Sequence, residues 1–412
     1  MYSLLLVIIY IAFISLGLPD SLIGSAWPIM HRDLQVPVYY MGIITMLISG
    51  GTILSSLLSD RLTRKFGTGL VTAVSVLFTA AALFGFSVTG SFWLLCLWAI
   101  PYGLGAGAVD ASLNNYVALH YASRHMSWLH CFWGVGCSVS PYIMSYALTG
   151  YSSWSLGFRI VSALQMVLTA ALFLSLPLWK KAATAGAVTQ SPDEADTASS
   201  ADDMAPAAKV LTLGQVLRMK GVPLVLITFL AYCALESTTG IWASSYLVQH
   251  RGIDAETAAM FASLFYLGIT FGRFLCGFVA DRLGDRRLIR IGTLTALAGA
   301  LLILLPLQAH LPALAGLIVV GLGCAPVYPS IIHSTPDNFG RENSQAVIGI
   351  QMASAYVGST FMPPLFGLLA AHVTIGLYPV YLLFFGGLML YMSERLRRVA
   401  GKKKDTGKGT AE

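Results

Sequence analysis

Three carboxylic acid side chains, Asp20, Asp110 and Glu236, lie inside long apolar segments of this 412-residue chain. Hydrocarbon cannot solvate a charge, and a carboxylate at the centre of a bilayer costs about 2.5 to 3.5 kcal/mol or more. We therefore expect all three side chains to face a protein interior or a water-filled cavity. A carboxyl group that is withdrawn from water and lies near a second carboxyl group is protonated more readily. At least one of the three should hold a proton near neutral pH, which suits a group that carries protons across a membrane.

The segment of residues 97–121 contains the most regular polar pattern around one of these carboxylates. Gly103, Gly107, Asp110 and Asn114 recur there at steps of four, three and four residues, so on a helix they share one face. The face is narrow and polar, and its glycines allow another backbone to approach closely. We predict that this helix lines a transport pathway.

Asp110 is our first candidate for proton coupling, Asp20 is the second and Glu236 the third. A structural role is the alternative for each of them. Asp20 in particular follows Pro19 and could bond backbone groups that a broken helix leaves free. His130 could carry protons or donate a hydrogen bond to a substrate, but a lone histidine can equally be a packing residue whose hydrogen bonds are satisfied.

The composition of the chain predicts the elements that position these residues. Hydrophobic residues make up 56% of it and charged residues 11%, which is too apolar for an ordinary soluble domain. Apolar segments of about twenty residues, the length that crosses a bilayer, recur along it. We predict an all-α polytopic membrane protein with twelve transmembrane helices in two six-helix pseudo-repeats. The predicted spans are residues 3–30, 38–59, 68–88, 92–118, 126–149, 156–178, 222–248, 256–280, 288–307, 311–333, 343–371 and 375–394.

A hydrophilic segment, residues 180–209, separates the sixth span from the seventh. It is rich in Ala, Ser, Thr, Asp and Pro and is predicted to be disordered. Residues 211–220 are predicted to form a short interfacial helix before the seventh span. The predicted domains are an N-terminal six-helix half (1–179), a partly disordered cytoplasmic linker (180–221), a C-terminal six-helix half (222–396) and a basic cytoplasmic tail (397–412).

Lys and Arg residues concentrate in alternate loops and in the C-terminal tail. The positive-inside rule then predicts that both termini are cytoplasmic, in a multi-pass protein of the cell membrane. The net charge of +6 reflects this distribution, so it gives no reason to invoke nucleic acid as a partner.

Four short patterns in the first half return in the second half in the same order. The pairs are Asp20-Ser21 with Glu236-Ser237, Asp60-Arg61-Leu62 with Asp281-Arg282-Leu283, Gly103-Leu104-Gly105 with Gly321-Leu322-Gly323, and Gly136 and Pro141 with Gly358 and Pro363. The offsets run only from 216 to 222 residues, which indicates a parallel duplication of six helices. Secondary transporters with a central site between their halves have this architecture.

No pattern of residues typical of an enzyme is found in the sequence. All six cysteines lie in apolar segments, without the spacing of a disulfide framework or a metal site. The sequence contains no phosphate-binding P-loop and no nucleophile elbow. We therefore expect no catalysis and no cofactor, and transport driven by an ion gradient. Protons are the first choice of ion, and sodium remains an alternative.

The chain resembles the major facilitator superfamily over its whole length. The signature loop of that family is nearly intact after the eighth span and degraded after the second, where Ser56 and Thr63 replace glycines. The resemblance implies the major facilitator fold, a monomer, and a gating loop that holds the cytoplasmic ends together when the protein is open to the outside. The gating-loop residues implied are Asp60, Arg61, Arg64, Arg273, Gly277, Asp281, Arg282 and Gly284.

Within the superfamily, Asp20, Asp110 with Asn114, and the run LHCFWGVGCSVSP in the fifth span resemble the fucose permease-like branch. That branch contains proton-coupled sugar symporters. The resemblance implies roles in substrate binding and proton coupling for the carboxylates of the first and fourth spans, here Asp20 and Asp110. The fifth span departs from the branch, because His130 and Trp133 stand where the fucose permease has amide side chains.

Sugar sites combine groups that bond hydroxyls with aromatic rings that cover the C–H faces. The predicted substrate-binding residues are Asp20, Asn114, Asn115, His130, Trp133, Glu236, Gln351 and Tyr356. We expect a proton-driven symporter for a small sugar or polyol. The alternative is a proton-coupled antiporter that exports drugs or metabolites, although drug exporters tend to have larger and more apolar cavities. A receptor or scaffold that transports nothing would not need three deep carboxylates.

Overall fold

The computed structural model describes residues 2–179, 181, 211–306 and 310–406, and within these ranges the regular structure is entirely helical. Most of the predicted linker and the end of the predicted tail lie outside the described residues. The short helix predicted before the seventh span is present as Leu213–Arg218, where Thr212 caps the first turn.

The N-terminal half forms the six predicted spans, the first of them in two pieces. Its helices are α1 (Tyr2–Asp20), α2 (Leu22–Asp33), α3 (Met41–Phe66), α4 (Thr68–Val88), α5 (Phe92–His120), α6 (Ser123–Tyr151) and α7 (Trp154–Leu174). The break between α1 and α2 follows Pro19, which has no N–H to bond the carbonyl of Ser15. The Gln165 side chain donates a hydrogen bond to that carbonyl instead, at 2.8 Å. The carbonyl group that the proline break frees therefore has a hydrogen-bond partner inside the bundle.

The C-terminal half repeats this plan. Its helices are α8 (Leu213–Arg218), α9 (Val222–Gln249), α10 (Ala255–Leu283), α11 (Asp285–Leu304), α12 (Leu311–Cys324), α13 (Val327–His333), α14 (Thr335–Phe339), α15 (Ser344–His372) and α16 (Tyr378–Thr406). The tenth predicted span is divided into α12 and α13 next to Pro326. Ten helical segments of the described chain are long and apolar enough to cross a membrane. The two remaining predicted spans are α6 and α15, which are equally long at 29 residues each but more polar.

The two halves meet along two pairs of helices, α3 with α15 and α6 with α10. These pairs occupy equivalent places in the two repeats, as a parallel duplication requires. Glycine allows the close approach: a Cβ atom at Gly349 of α15 would lie 2.5 Å from the Ser56 carbonyl oxygen of α3. We call the end of the bundle that carries the loops α3–α4 and α10–α11 the basic end. The predicted all-α fold with twelve spans is confirmed.

Candidate functional site

A cavity of about 240 Å³ lies between the two halves, and all three membrane-embedded carboxylates are on its wall. Both halves contribute side chains to it. The polar and aromatic lining residues are Phe13, Asp20, Ser49, Thr52, Tyr102, Asp110, His130, Trp133, Glu236, Ser237, Arg273, Tyr328, Tyr356 and Ser359. The cavity therefore brings together acids, an arginine and aromatic rings from both halves.

Asp110 is the most enclosed of the three acids, with 4% of its surface exposed. Its Oδ1 accepts a hydrogen bond from Asn114 Nδ2 at 2.7 Å, and its Oδ2 accepts one from the Tyr356 hydroxyl at 3.0 Å. His130 Nε2 lies 3.1 Å from Asn114 Oδ1 and extends the chain of hydrogen bonds. Because Tyr356 belongs to the C-terminal half, the hydrogen bonding of Asp110 joins the halves. Both donors to this carboxyl group are neutral.

Asp20 is exposed to the cavity at the end of α1. Its Oδ2 accepts a hydrogen bond from Trp133 Nε1 at 2.9 Å, and its Oδ1 accepts one from the Tyr102 hydroxyl at 3.3 Å. The carbonyl that the proline break frees is bonded by another side chain, since Gln165 donates a hydrogen bond to the carbonyl oxygen of Ser15. The contacts of Asp20 thus favour a role in the cavity over a role in satisfying the broken helix.

Glu236 has a cationic partner, Arg273, whose Nη2 lies 3.3 Å from Glu236 Oε1. Arg273 is 3% exposed, and its guanidinium group lies against the rings of Trp133 and Tyr328, at 5.7 and 6.0 Å from the ring centroids. Its Nε finds no hydrogen-bond partner among the residues that the structure describes. Trp133 therefore connects the halves, because its edge donates to Asp20 and its face meets Arg273.

The structure corrects the assignment of Arg273 to the gating loop. α10 continues without a break to Leu283, so Arg273 lies about 12 Å along the helix from Asp281, at a rise of 1.5 Å per residue. It is on the cavity wall and not at the basic end. The position of Arg273 in the middle of an apolar span was a signal for this, because an ionisable residue at such depth is a candidate site residue by default.

Three amides predicted to bind substrate do not line the cavity. Asn114 is buried behind Asp110. The side-chain oxygen of Asn115 accepts a hydrogen bond from the Ser344 hydroxyl at 2.6 Å. The side-chain oxygen of Gln351 accepts one from the Thr335 hydroxyl at 3.0 Å. Helical geometry explains two of these placements, since a separation of five residues rotates a side chain by about 140°. Asn115 is five residues from Asp110, and Gln351 is five from Tyr356.

Tyr102 is a cavity residue that the sequence analysis missed, although it bonds directly to Asp20. It stands eight residues before Asp110, with Ala106 between them, and all three line the cavity. A spacing of four residues keeps side chains on one helical face. Counting back from Asp110 in steps of four residues, through Ala106, would have found it.

Several gating-loop residues lie where the halves meet at the basic end. Asp60 Oδ1 accepts from Arg64 Nε at 2.8 Å, and Arg64 Nη2 donates to the Glu342 carbonyl oxygen of the other half at 2.8 Å. Asp281 accepts from the backbone N–H of Arg124, the second residue of α6, at 3.1 Å. These bonds, with the one between Asn115 and Ser344, close the cavity at the basic end.

The remaining gating-loop residues have other positions. Arg61 and Arg282 are exposed. Gly284 has φ of +75°, in the left-handed region that favours glycine, and ends α10. Gly277 faces Trp128 of the other half, and a Cβ atom there would overlap the indole nitrogen.

Replacing Gly277 by alanine should force α6 and α10 apart at the basic end. We expect Gly277→Ala to shift the protein away from the state closed at that end and to reduce transport. Gly387→Ala is the matched control, because a Cβ atom there meets open space. Cross-linking of cysteines placed on α6 and α10 measures closure, and Trp128→Ala should restore it in the double variant. Unchanged cross-linking in Gly277→Ala would contradict this account of the interface.

A histidine and an aspartate form a second connection across the basic end. Asp285 accepts from the hydroxyl of Ser123 in the other half, and its second oxygen lies 2.6 Å from His333 Nδ1. His333 Nε2 lies 3.0 Å from the carbonyl oxygen of Tyr121, also in the other half. A carbonyl oxygen can only accept, so Nε2 must carry a hydrogen. Nδ1 faces an oxygen of the Asp285 carboxylate, so a hydrogen must lie between these two atoms as well. His333 and Asp285 therefore hold two protons together, one more than a neutral imidazole and an ionised carboxylate hold.

Closure of the basic end should therefore weaken as the pH rises and this shared proton is lost. More protons are bound in the closed state than in a state in which the halves separate, so low pH favours closure. Double electron–electron resonance between labels on α5 and α11, in an Asp110→Asn background that silences the central acid, measures the closed fraction. We expect His333→Gln to remove most of its pH dependence. The same pH dependence with and without His333 would contradict the shared proton.

The cavity is lined by acids, lies between the two six-helix halves of a membrane bundle and is closed at one end by contacts between the halves. These features define a transporter and not an enzyme.

The chain belongs to the Major Facilitator Superfamily, whose sequence pattern matches residues 9–246 and 224–410. Among curated relatives, the yeast Bypass of stop codon protein 6 is 23% identical over 66% of this chain, which spans 56% of the yeast protein. The glucose/mannose transporter GlcP of Bacillus subtilis is 20% identical over 87% of this chain and 86% of its own length. The solved structure of the E. coli fucose:proton symporter FucP has a TM-score of 0.74 at 15% identity, covering 96% of this chain and 99% of FucP. The predicted family and its fold are confirmed.

Proposed function

We propose that this chain is a proton-coupled symporter for a small sugar or polyol that works by alternating access. The observation that carries the proposal is the position of Asp110, which takes one hydrogen bond from each half of the molecule. When the carboxyl group takes up a proton, one of its oxygens becomes a donor, so the hydrogen bond that this oxygen accepted from Asn114 or Tyr356 must rearrange. Protonation is thereby linked to the contact between the halves.

The different surroundings of the acids support a division of roles. Arg273 balances the charge of Glu236, so Glu236 serves as an acceptor for substrate hydroxyl groups. Asp110 has two neutral donors, Asn114 and Tyr356, and is the group that takes up and releases the proton. Asp20 lies on the exposed part of the wall and binds substrate together with Trp133.

The chemistry of the wall and the size of the cavity favour a small polyol as substrate. Trp133, Tyr328 and Tyr356 offer rings for C–H faces, and the acids and His130 offer groups for hydroxyls. At about 240 Å³ the cavity is smaller than the roughly 300 to 1,000 Å³ typical of sites for drug-sized ligands. The names of GlcP and FucP, a glucose/mannose transporter and a fucose:proton symporter, agree with this class of substrate.

The direction of the cycle follows from the proposed topology. With the basic end in the cytoplasm, the contacts of Arg64, Asp281 and Asp285 close the cytoplasmic side while the cavity faces outward. Substrate and proton enter from outside, the halves rock about the cavity, and both leave into the cytoplasm.

Proteoliposomes with an external pH-sensitive dye test this proposal. They are challenged with monosaccharides, polyols and amphipathic cations in turn, first in sodium-free buffer and then with sodium. External alkalinisation on addition of one sugar or polyol, absent in Asp110→Asn, is the expected result. Proton movement only with amphipathic cations would instead establish the exporter alternative, and sugar uptake that requires sodium would exclude proton coupling.

A further inference from the structure

Five arginines converge on a cleft of about 590 Å³ between α11 and α16 at the basic end. Three of them, Arg286, Arg287 and Arg290, lie in the first two turns of α11, and Arg397 and Arg398 lie on α16. Among the described residues, Glu394 is the one carboxylate on the wall of the cleft. We propose that this cleft binds the phosphate headgroup of an anionic phospholipid, a function separate from the transport site.

The hydrogen bonds within the cleft leave most of this positive charge without a partner. Glu394 forms ion pairs with Arg290 at 3.4 Å and with Arg397 at 2.8 Å. Arg286 donates a hydrogen bond to the neutral side chain of Asn338 at 3.5 Å. Arg287 and Arg398 contact no carboxylate in the described part of the chain. Five guanidinium groups against one carboxylate give a net charge of +4.

The acidic residues nearest to the cleft do not fill this role. Asp281, Asp285 and Asp337 line a neighbouring depression on the far side of Arg286 and Arg287. Asp285 is already bonded by Ser123 and His333, and Asp281 by Arg124.

The surface next to the cleft identifies a lipid as the source of the phosphate. Above the arginines, α11 exposes Ile291 and Leu294, and α16 exposes Phe384 and Tyr391, each with about half or more of its surface accessible. This apolar surface on membrane-spanning helices is the surface that acyl chains contact. A headgroup in the cleft would therefore be continuous with acyl chains on the two helices, whereas a soluble phosphate would use only the cleft.

The positive-inside rule alone does not account for this group. It calls for Lys or Arg on the cytoplasmic side in general, and the tail of the chain meets it with the lysines at 402, 403 and 404. The basic residues that line the cleft are all arginines. The planar guanidinium group binds phosphate oxygens with two parallel hydrogen bonds, which the ammonium group of lysine cannot do.

Native mass spectrometry of the full chain in detergent, titrated with phosphatidylglycerol or phosphatidylcholine, tests the proposal. The informative variant is Arg287→Gln/Arg398→Gln, because neither side chain has a carboxylate partner whose loss would disturb the fold. The control is Arg61→Gln/Arg218→Gln, which removes the same charge from exposed positions at the same end.

We expect the wild type to retain phosphatidylglycerol in preference to phosphatidylcholine. The cleft variant should bind phosphatidylglycerol about tenfold or more weakly, because it removes two guanidinium groups that make charge-assisted hydrogen bonds to the phosphate. The control should bind it like the wild type.

Equal loss in both variants would show a diffuse surface charge and overturn the site. Equal retention of both lipids by the wild type would also overturn it. If glycerol 3-phosphate bound as tightly as the lipid, the site would be one for a soluble phosphate.

Discussion

Asp110→Asn should strongly reduce proton-driven accumulation of substrate while leaving exchange of substrate across the membrane intact. The amide cannot take up or release a proton in this pH range, but it keeps the size of the carboxyl group and can still hydrogen-bond to Asn114 and Tyr356. We expect concentrative uptake to fall by about 5- to 150-fold, the usual range of coupling between two sites on one protein. Uptake down a concentration gradient, and counterflow in preloaded vesicles, should persist.

The measurement compares accumulation at several external pH values with counterflow at one pH in the same proteoliposomes. Asp33→Asn is the matched control, because Asp33 is bonded to the indole of Trp154 outside the cavity. It should accumulate substrate with the pH dependence of the wild type. Full, pH-dependent accumulation by Asp110→Asn would remove Asp110 from the coupling mechanism and leave Asp20 as the next candidate.

Arg273→Met should lower both the stability and the transport activity of the protein, and the loss of stability should depend on pH. Arg273 is 3% exposed, and the side chain of Glu236 is 20% exposed. Removing one partner of such a pair leaves a charge without its counterion, which costs about 3 to 5 kcal/mol. Glu236 can avoid this cost by taking up a proton. The variant should therefore recover stability as the pH falls.

The double variant Arg273→Met/Glu236→Gln separates the two effects. It removes both charges, so the unfolding temperature at neutral pH should return towards that of the wild type. Substrate binding should stay impaired, because the carboxylate of Glu236 that accepts hydrogen bonds from the substrate is gone. Arg124→Met is the matched control at an exposed ion pair, where about 1 kcal/mol or less is expected. If Arg273→Met were as stable as the wild type at neutral pH, the ion pair would contribute nothing to the stability of the protein, and Glu236 would be neutral at that pH.

The sequence alone determined the membrane class, the twelve spans and the duplication. The first two depend on properties of single segments, and the third on patterns that recur at a nearly constant offset. Length and apolarity decide whether a helix crosses a bilayer. The lipid excludes a charge, which predicted that Asp20, Asp110 and Glu236 face away from it, and the structure places all three on the wall of one cavity. The predicted ends deviate most for α3 and α16, which continue to Phe66 and Thr406 beyond the predicted ends at residues 59 and 394, because apolarity marks only the part of a helix that lies in the bilayer.

The tertiary structure alone decided which polar residues meet. Helical periodicity tells which side chains of one helix share a face, but it does not tell which neighbouring helix that face contacts. Asn115 and Gln351 therefore looked like site residues although they bond to Ser344 and Thr335 away from the cavity. Arg273 is the clearest case. Its depth in α10 was readable from the sequence, but its pairing with Glu236 depends on the packing of α9 against α10, which only the folded bundle fixes.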